Sequence, residues 1–138
     1  MIGNASKENY LEAILILSRE KPQVRAVDIA DQLGFSKPSV SIAMKKLRQS
    51  GHIQVSKEDQ ITLTPSGRAI AEMIYERHAV ISTWLISIGV DPQTARTDAC
   101  RMEHDLSPES FEKIKSHLKG EHFDVYEEAG RLFRGEKA

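Results

Sequence analysis

The segment SKPSVSIAMKKLRQSG, residues 36–51, is the clearest indication of fold in this chain. Ser36 has a hydroxyl that can cap a helix N-terminus, and Pro38 suits the first turn that follows. One stripe of the predicted helix is apolar, and it consists of Val40, Ala43, Met44 and Leu47. The remaining positions are mostly hydroxyl and basic side chains. The pattern therefore predicts an amphipathic helix that exposes a polar, basic side.

A hairpin is predicted directly after this helix. Ile53–Val55 and Ile61–Leu63 alternate between apolar and polar residues, and the polar segment Lys57–Gln60 joins them. Thr64–Pro65 then begins a new helix, because a capping residue precedes proline at the first helical position.

Two helices are predicted before the opening stretch, at about residues 7–19 and 26–33, with Gly34 ending the second. Helix, turn, helix and hairpin, in this order, form a winged helix-turn-helix. We therefore predict a mainly α fold, with a winged helix-turn-helix and a two-stranded wing in residues 1–64. A helical domain is predicted in residues 65–138, with helices at about 65–88, 92–105, 108–118 and 123–133.

The charge distribution favours nucleic acid as a partner. The chain has a formal net charge of −1. Residues 34–57 nevertheless contain five basic residues and no acidic ones, so the rest of the chain sums to −6. A basic segment in an acidic chain is typical of a local DNA-binding surface, although a solvated basic helix face is an alternative.

The predicted recognition helix and wing supply the candidate DNA-binding residues. Small hydroxyl side chains allow close approach to the major groove, and Lys and Arg suit phosphate contacts. The candidates are Ser36, Lys37, Pro38, Ser39, Ser41, Lys45, Lys46, Arg48 and, at the tip of the wing, Lys57.

A second constellation is Cys100, Glu103 and His104, which share one face of a predicted helix. A thiolate, a carboxylate and an imidazole are half of a transition-metal site. His78, on the long fourth helix, is a candidate to complete it. Asn9 and Glu12, on the first helix, are further candidates if these helices pack together.

The chain resembles the diphtheria toxin repressor family of metal-dependent regulators over nearly its whole length. The matching motifs are Glu8–Leu11, Ser36–Ser41, Leu63–Gly67, Arg77–His78 and Asp98–His104. The last motif is specific, whereas the Thr-Pro-x-Gly segment recurs in many winged helices. The length is similar to that of the short, manganese-responsive branch of the family.

The resemblance implies a homodimer built on the C-terminal helices, so residues 65–138 are predicted to be a dimerisation and metal-binding domain. It also implies that Glu103 and His104 are ligands, and that Glu12 and His78 match ligand positions. Cys100 takes a position held by Cys in the iron-responsive branch and by Glu in the manganese-responsive branch.

Several positions depart from the family pattern. Asn9 stands where relatives carry Asp or Met, and its amide oxygen is a weak ligand. Ser82 and Arg96 replace ancillary ligands of the iron branch, so a second site is expected to be altered or absent. Ile42 replaces a polar base-reading side chain, which leaves the operator sequence open.

These features predict a repressor of iron or manganese homeostasis genes that binds double-stranded DNA when a divalent transition metal is bound. The thiolate of Cys100 favours Fe²⁺, with Mn²⁺ as runner-up. Ligands from the first, fourth and fifth helices are expected to fix the spacing of two recognition helices.

Other classes of function are less well supported. The chain has no glycine-rich phosphate loop and no nucleophile elbow, so neither an enzyme nor an organic cofactor is expected. A winged-helix regulator that senses an organic ligand or oxidation through Cys100 without metal is the main alternative. A thiol enzyme using Cys100 with His104 as base is a weaker one. A single cysteine, and first residues unlike a signal peptide, predict a cytoplasmic protein with no membrane segment.

Overall fold

The structure, a computed structural model, describes residues 4–136 and their side chains from Ser6 onward. The ends of the two predicted domains, residues 1–3 and 137–138, lie outside the described residues. The chain forms two compact units, Met1–Met73 and Ile74–Ala138. The functional division after Thr64 stays a prediction.

The first unit contains the predicted winged helix-turn-helix. Helix α1 spans Asn4–Glu20, α2 spans Ala26–Leu33 and α3 spans Lys37–Gln49. The antiparallel strands β1, Ile53–Val55, and β2, Ile61–Leu63, follow and form the wing. Helix α1 begins at Asn4, earlier than the start predicted near residue 7, and it includes Ser6. The predicted fold class is confirmed.

Apolar side chains from α1, α2 and α3 form the core of the first unit. The fully buried ones include Leu11, Ile14, Ile29 and Val40. The N–H of Ile61 donates to the carbonyl oxygen of Val24 at 2.7 Å, which joins the wing to the extended link before α2. The apolar side of α3 therefore packs on this core, and its polar side is exposed to solvent.

The remaining helices are α4, Pro65–Ser87; α5, Pro92–Met102; α6, Pro108–Glu121; and α7, Phe123–Arg134. Helix α4 begins in the first unit and ends in the second. Ser107 caps α6 by accepting the N–H of Ser110 at 3.1 Å. The core of the second unit packs Val80 on Phe111, Leu118, Val125 and Ala129.

Among the described residues, no helix combines the length and the apolar character that a membrane span requires.

Candidate metal centre

Three side chains with metal-binding atoms meet in the second unit: His78 on α4, Cys100 on α5, and Glu103 at the end of α5. Their donor atoms all lie within 4.8 Å of one another. Glu103 Oε2 is 3.1 Å from His78 Nδ1, and Cys100 Sγ is 3.9 Å from the same nitrogen. The imidazole therefore contacts both the carboxylate and the thiol through one atom.

Helix α5 is shorter than predicted, and this changes the place of His104. The helix ends at Met102, whereas the sequence suggested a helix to about Asp105. Glu103 keeps helical dihedral angles, φ −61° and ψ −27°, and its N–H donates to Ala99 at 2.9 Å. Glu103 thus remains one turn from Cys100, while His104 lies in the turn that follows.

The carboxylate of Glu103 is fully buried, with 0% of its side chain exposed. Its Oε1 atom makes no hydrogen bond to any described residue. His104 Nε2 lies 3.5 Å from this oxygen, a separation of an ion pair and not of a close hydrogen bond. A buried carboxylate oxygen without a hydrogen bond is costly, so it favours a cation beside it.

The donor set suits a transition-metal ion. An imidazole nitrogen, a thiolate sulfur and a carboxylate oxygen are all ligands of divalent first-row metals. Together with the buried oxygen of Glu103, this chemistry makes His78, Cys100 and Glu103 fit such an ion.

The cluster changes the acidity of His78. Burial alone would lower the pKa of its imidazole, but hydrogen bonds and charge interactions with Cys100 and Glu103 raise the pKa from 6.5 to about 10. In this arrangement the imidazole carries a proton at neutral pH. That proton must leave before His78 Nδ1 can bind a cation.

Two further predicted ligands belong to the first unit. Asn9 and Glu12 are on α1 in the first unit, and both are partly exposed. Their role as ligands, like that of His104, stays a prediction. Ser82 is buried and its hydroxyl donates to the carbonyl oxygen of His78 at 2.7 Å, while exposed Arg96 donates to Gln93 at 3.2 Å.

The sequence predicted no role for Arg77. Arg77 was noted only because it precedes His78 in a motif shared with the family. Arg77 is 6% exposed, and its Nη1 donates to the carbonyl oxygens of Glu103 at 3.0 Å and Leu106 at 2.6 Å. An arginine inside a helical pattern is usually a solvated residue. The motif was the only available signal that this one differs.

The predicted DNA-binding residues lie together on the exposed side of α3 and its cap. Ser36 caps the helix, with its Oγ accepting the N–H of Ser39 at 3.3 Å. Ile42, the most exposed large apolar side chain of α3, is 56% exposed on the same helix. The exposed candidates are Ser36, Lys37, Pro38, Ser39, Ser41, Lys45, Lys46 and Arg48.

Lys57 is exposed in the turn between β1 and β2. The turn closes through Gln60, whose carbonyl oxygen accepts the N–H of Ser56 at 2.9 Å. Asp59 in this turn adopts a φ of 62°, a conformation that Asp tolerates in turns. The wing therefore projects a basic residue at its tip.

Comparison with known families assigns both parts of the chain. Residues 4–61 match the sequence model of the iron dependent repressor N-terminal DNA binding domain. Residues 64–129 match that of the iron dependent repressor metal binding and dimerisation domain.

Similar full-length proteins include the transcriptional regulator MntR of Salmonella typhimurium. It is 38% identical over 105 residues, which cover 76% of this chain and 67% of that protein. The HTH-type transcriptional regulator MntR of Listeria monocytogenes is 36% identical over 79% of this chain and 77% of its own. The solved structure of the manganese regulator SloR aligns with a TM-score of 0.73 at 28% identity. That alignment covers 82% of this chain and 53% of SloR, so the chain spans about half the length of that regulator.

A winged helix-turn-helix, joined to a helical domain with these matches, defines a metal-responsive, DNA-binding transcriptional repressor and not an enzyme. The chain belongs to the iron-dependent repressor family, the diphtheria toxin repressor family that its motifs resemble. The family match covers DNA binding, divalent metal binding and dimerisation.

Proposed function

We propose that this protein represses iron or manganese homeostasis genes in the cytoplasm when a divalent metal ion binds His78, Cys100 and Glu103. The observation that carries the proposal is the buried carboxylate of Glu103. One of its oxygens lacks a hydrogen bond, and an imidazole and a thiol lie close enough to share a cation with it.

The ligand chemistry favours Fe²⁺ over Mn²⁺. Thiolate is a softer ligand than carboxylate, and Mn²⁺ prefers sites built mainly from oxygen. Similar solved structures include a manganese regulator and a manganese-dependent transcriptional repressor, which makes Mn²⁺ the direct competitor. Asn9, Glu12 and His104 are proposed as additional ligands.

The proposed DNA contacts divide by chemistry. Ser36, Ser39 and Ser41 offer hydroxyls at the N-terminal half of α3, where backbone N–H groups also favour a phosphate. Further along, Lys45 and Lys46 suit phosphate contacts. The other proposed contacts are Lys37, Pro38, Arg48 and Lys57.

His78, Cys100 and Glu103 would hold the ion, and its positive charge would keep these three side chains in one arrangement. That arrangement must be the DNA-competent one, because a ligand shifts an equilibrium only by binding one state more tightly. A homodimer in this state would set two recognition helices at the spacing of two half-sites.

A DNA-binding titration tests the proposal. The probe is duplex DNA from the promoter beside the protein's own gene, followed by fluorescence anisotropy in Fe²⁺ without oxygen, in Mn²⁺ and in EDTA. We expect metal to tighten binding by about 5–150-fold. Fe²⁺ should act at a lower free concentration than Mn²⁺.

Matched variants make the titration specific. Glu103→Gln should bind DNA weakly with or without metal, because it removes the buried negative charge. His117→Gln, at an exposed position of α6 outside the cluster, should keep the full response. DNA affinity that is the same in EDTA and in saturating metal would contradict the proposal.

A further inference from the structure

The turn that carries Glu103 is held by one side chain from the helix that carries His78. Arg77 Nη1 donates to the carbonyl oxygens of Glu103 and Leu106, at 3.0 and 2.6 Å. These carbonyls lie past the end of α5, where no later turn of helix supplies N–H donors. Arg77 therefore ties both ends of the 103–106 turn to α4.

The setting of Arg77 fixes its guanidinium in place. The side chain is buried, and its Cζ lies 5.4 Å from the centroid of the Phe111 ring on α6. A planar guanidinium can stack on an aromatic ring while it donates to two acceptors, which an ammonium group cannot do equally well. Its positive charge also complements the C-terminal end of α5.

Burial of Arg77 has an unfavourable free-energy contribution. Its Nε is buried and has no hydrogen-bond partner among the described residues. A buried donor left without a partner is unfavourable. The two bonds to the turn are the compensating interactions that the described residues provide.

The geometry points to Arg77 as a positioning residue for the metal centre, an inference that rests on the proposed function. His78 and Arg77 are consecutive residues of α4. One contributes the imidazole, and the other fixes the backbone of Glu103 so that its carboxylate stays 3.1 Å from that imidazole. Without Arg77 the turn would be free to move Glu103 away from His78 and Cys100.

Metal titration of substituted proteins tests this role. The probe is Co²⁺, followed by its ligand-field absorption and by the charge-transfer band of a Cys–Co²⁺ bond. We expect Arg77→Met to weaken Co²⁺ binding by about 10–100-fold, as is typical when the support of a metal ligand is removed. The charge-transfer band should persist at saturation, because Cys100 is untouched. The Co²⁺ affinity of Arg77→Lys should lie between that of Arg77→Met and that of the unsubstituted protein.

Two controls distinguish a specific effect of Arg77 on the position of Glu103 from a general loss of packing around the Phe111 ring. Lys115→Met removes another cation near the Phe111 ring, 5.5 Å from its centroid, together with an ion pair to Glu76. It should leave Co²⁺ affinity unchanged. In a Glu103→Gln background, Arg77→Met should cause no further loss, because residues that act through one another are not additive.

The outcomes are distinct. If Arg77→Met keeps full Co²⁺ affinity, or if Lys115→Met loses as much Co²⁺ affinity as Arg77→Met, the positioning role of Arg77 is overturned. Neither result would overturn the metal site itself. If Arg77→Met does not fold, as judged by circular dichroism of the metal-free protein, a folded Arg77→Lys with full affinity would overturn it. An unsubstituted protein that shows no Co²⁺ bands would overturn the metal site itself, and this role with it.

Discussion

His78 is subject to opposing influences. Burial favours its neutral form, whereas Cys100 and Glu103 favour the charged form and raise its pKa to about 10. In the metal-free protein the imidazolium is thus the cation that faces the buried carboxylate of Glu103. Under the proposed function, a metal ion and a proton would compete for this imidazole nitrogen.

This competition predicts how stability depends on pH. The folded, metal-free protein holds the His78 proton more tightly than the unfolded chain, whose pKa is about 6.5. The resulting stabilisation is complete below that pH and is lost as the pH rises toward about 10. We expect the urea midpoint in EDTA to fall over this range, and His78→Gln to reduce the decline.

His117→Gln serves as the control for this measurement, since His117 is exposed on α6. The urea midpoint of His117→Gln should show the same pH dependence as that of the unsubstituted protein. An equal decline in His78→Gln would show that the imidazole of His78 is not the group responsible.

Single residues also mark the limit of sequence prediction. Cys100 and Glu103 could be identified because they are one helical turn apart and carry metal-binding atoms. The place of His104 could not be predicted, because α5 ends at Met102 and the turn that follows is bonded by Arg77 from another helix. No local pattern encodes a bond between residues 26 positions apart.

At the scale of elements, the start of α4 lies against the residues that directly precede the first strand of the wing. Thr64 Oγ1 donates to the carbonyl oxygen of Gly51 at 2.7 Å, and the Thr64 N–H donates to that of His52 at 3.1 Å. A Cβ at Gly67 would lie 2.0 Å from the His52 carbonyl oxygen. Glycine is therefore required there by close packing.

Gly67→Ala is accordingly expected to lower the free energy of unfolding by about 1–3 kcal/mol, the usual cost of overpacking. The matched control is Gly120→Ala in α6, where an added Cβ meets nothing within 4 Å. Alanine should raise stability there by up to about 1 kcal/mol, because it is the better helix former. Urea unfolding followed by circular dichroism measures both, and equal effects would contradict the packing explanation.

The elements themselves were largely predictable. Ser36 and the proline after it predicted the start of α3, and the Ser36 side chain accepts a backbone N–H in the structure. Asp91 and Ser107 cap α5 and α6 in the same way, each directly before a proline. The start of α1 was predicted less well, because no proline marks it and the helix begins at Asn4 instead of near residue 7.

At the scale of the whole molecule, the distribution of charge matters more than its sum. The net charge is −1, yet the exposed side of α3 is basic, and the turn of the wing exposes Lys57 beside two acidic residues. DNA binding by such a protein should depend on local phosphate contacts. It should weaken steeply as the salt concentration rises, because the counterions released from DNA on binding then gain less entropy.

A salt titration of DNA binding in saturating metal tests this expectation. Each phosphate-contacting lysine contributes about 0.9 to the slope of log affinity against log salt. Replacing Lys45 and Lys46 with Gln should therefore reduce the slope by roughly 2. The control replaces Lys113 and Lys119 on α6 with Gln, which changes the net charge equally. The same loss of slope in both variants would argue against α3 as the contact surface.

The exposed thiol of Cys100 has a practical consequence. Under the proposed function, a sulfur engaged by an ion is shielded from alkylating reagents that otherwise reach it from solvent. The fraction of chains whose Cys100 is alkylated slowly would then equal the fraction with metal bound. This measurement of metal occupancy could be made in a crude extract and without DNA.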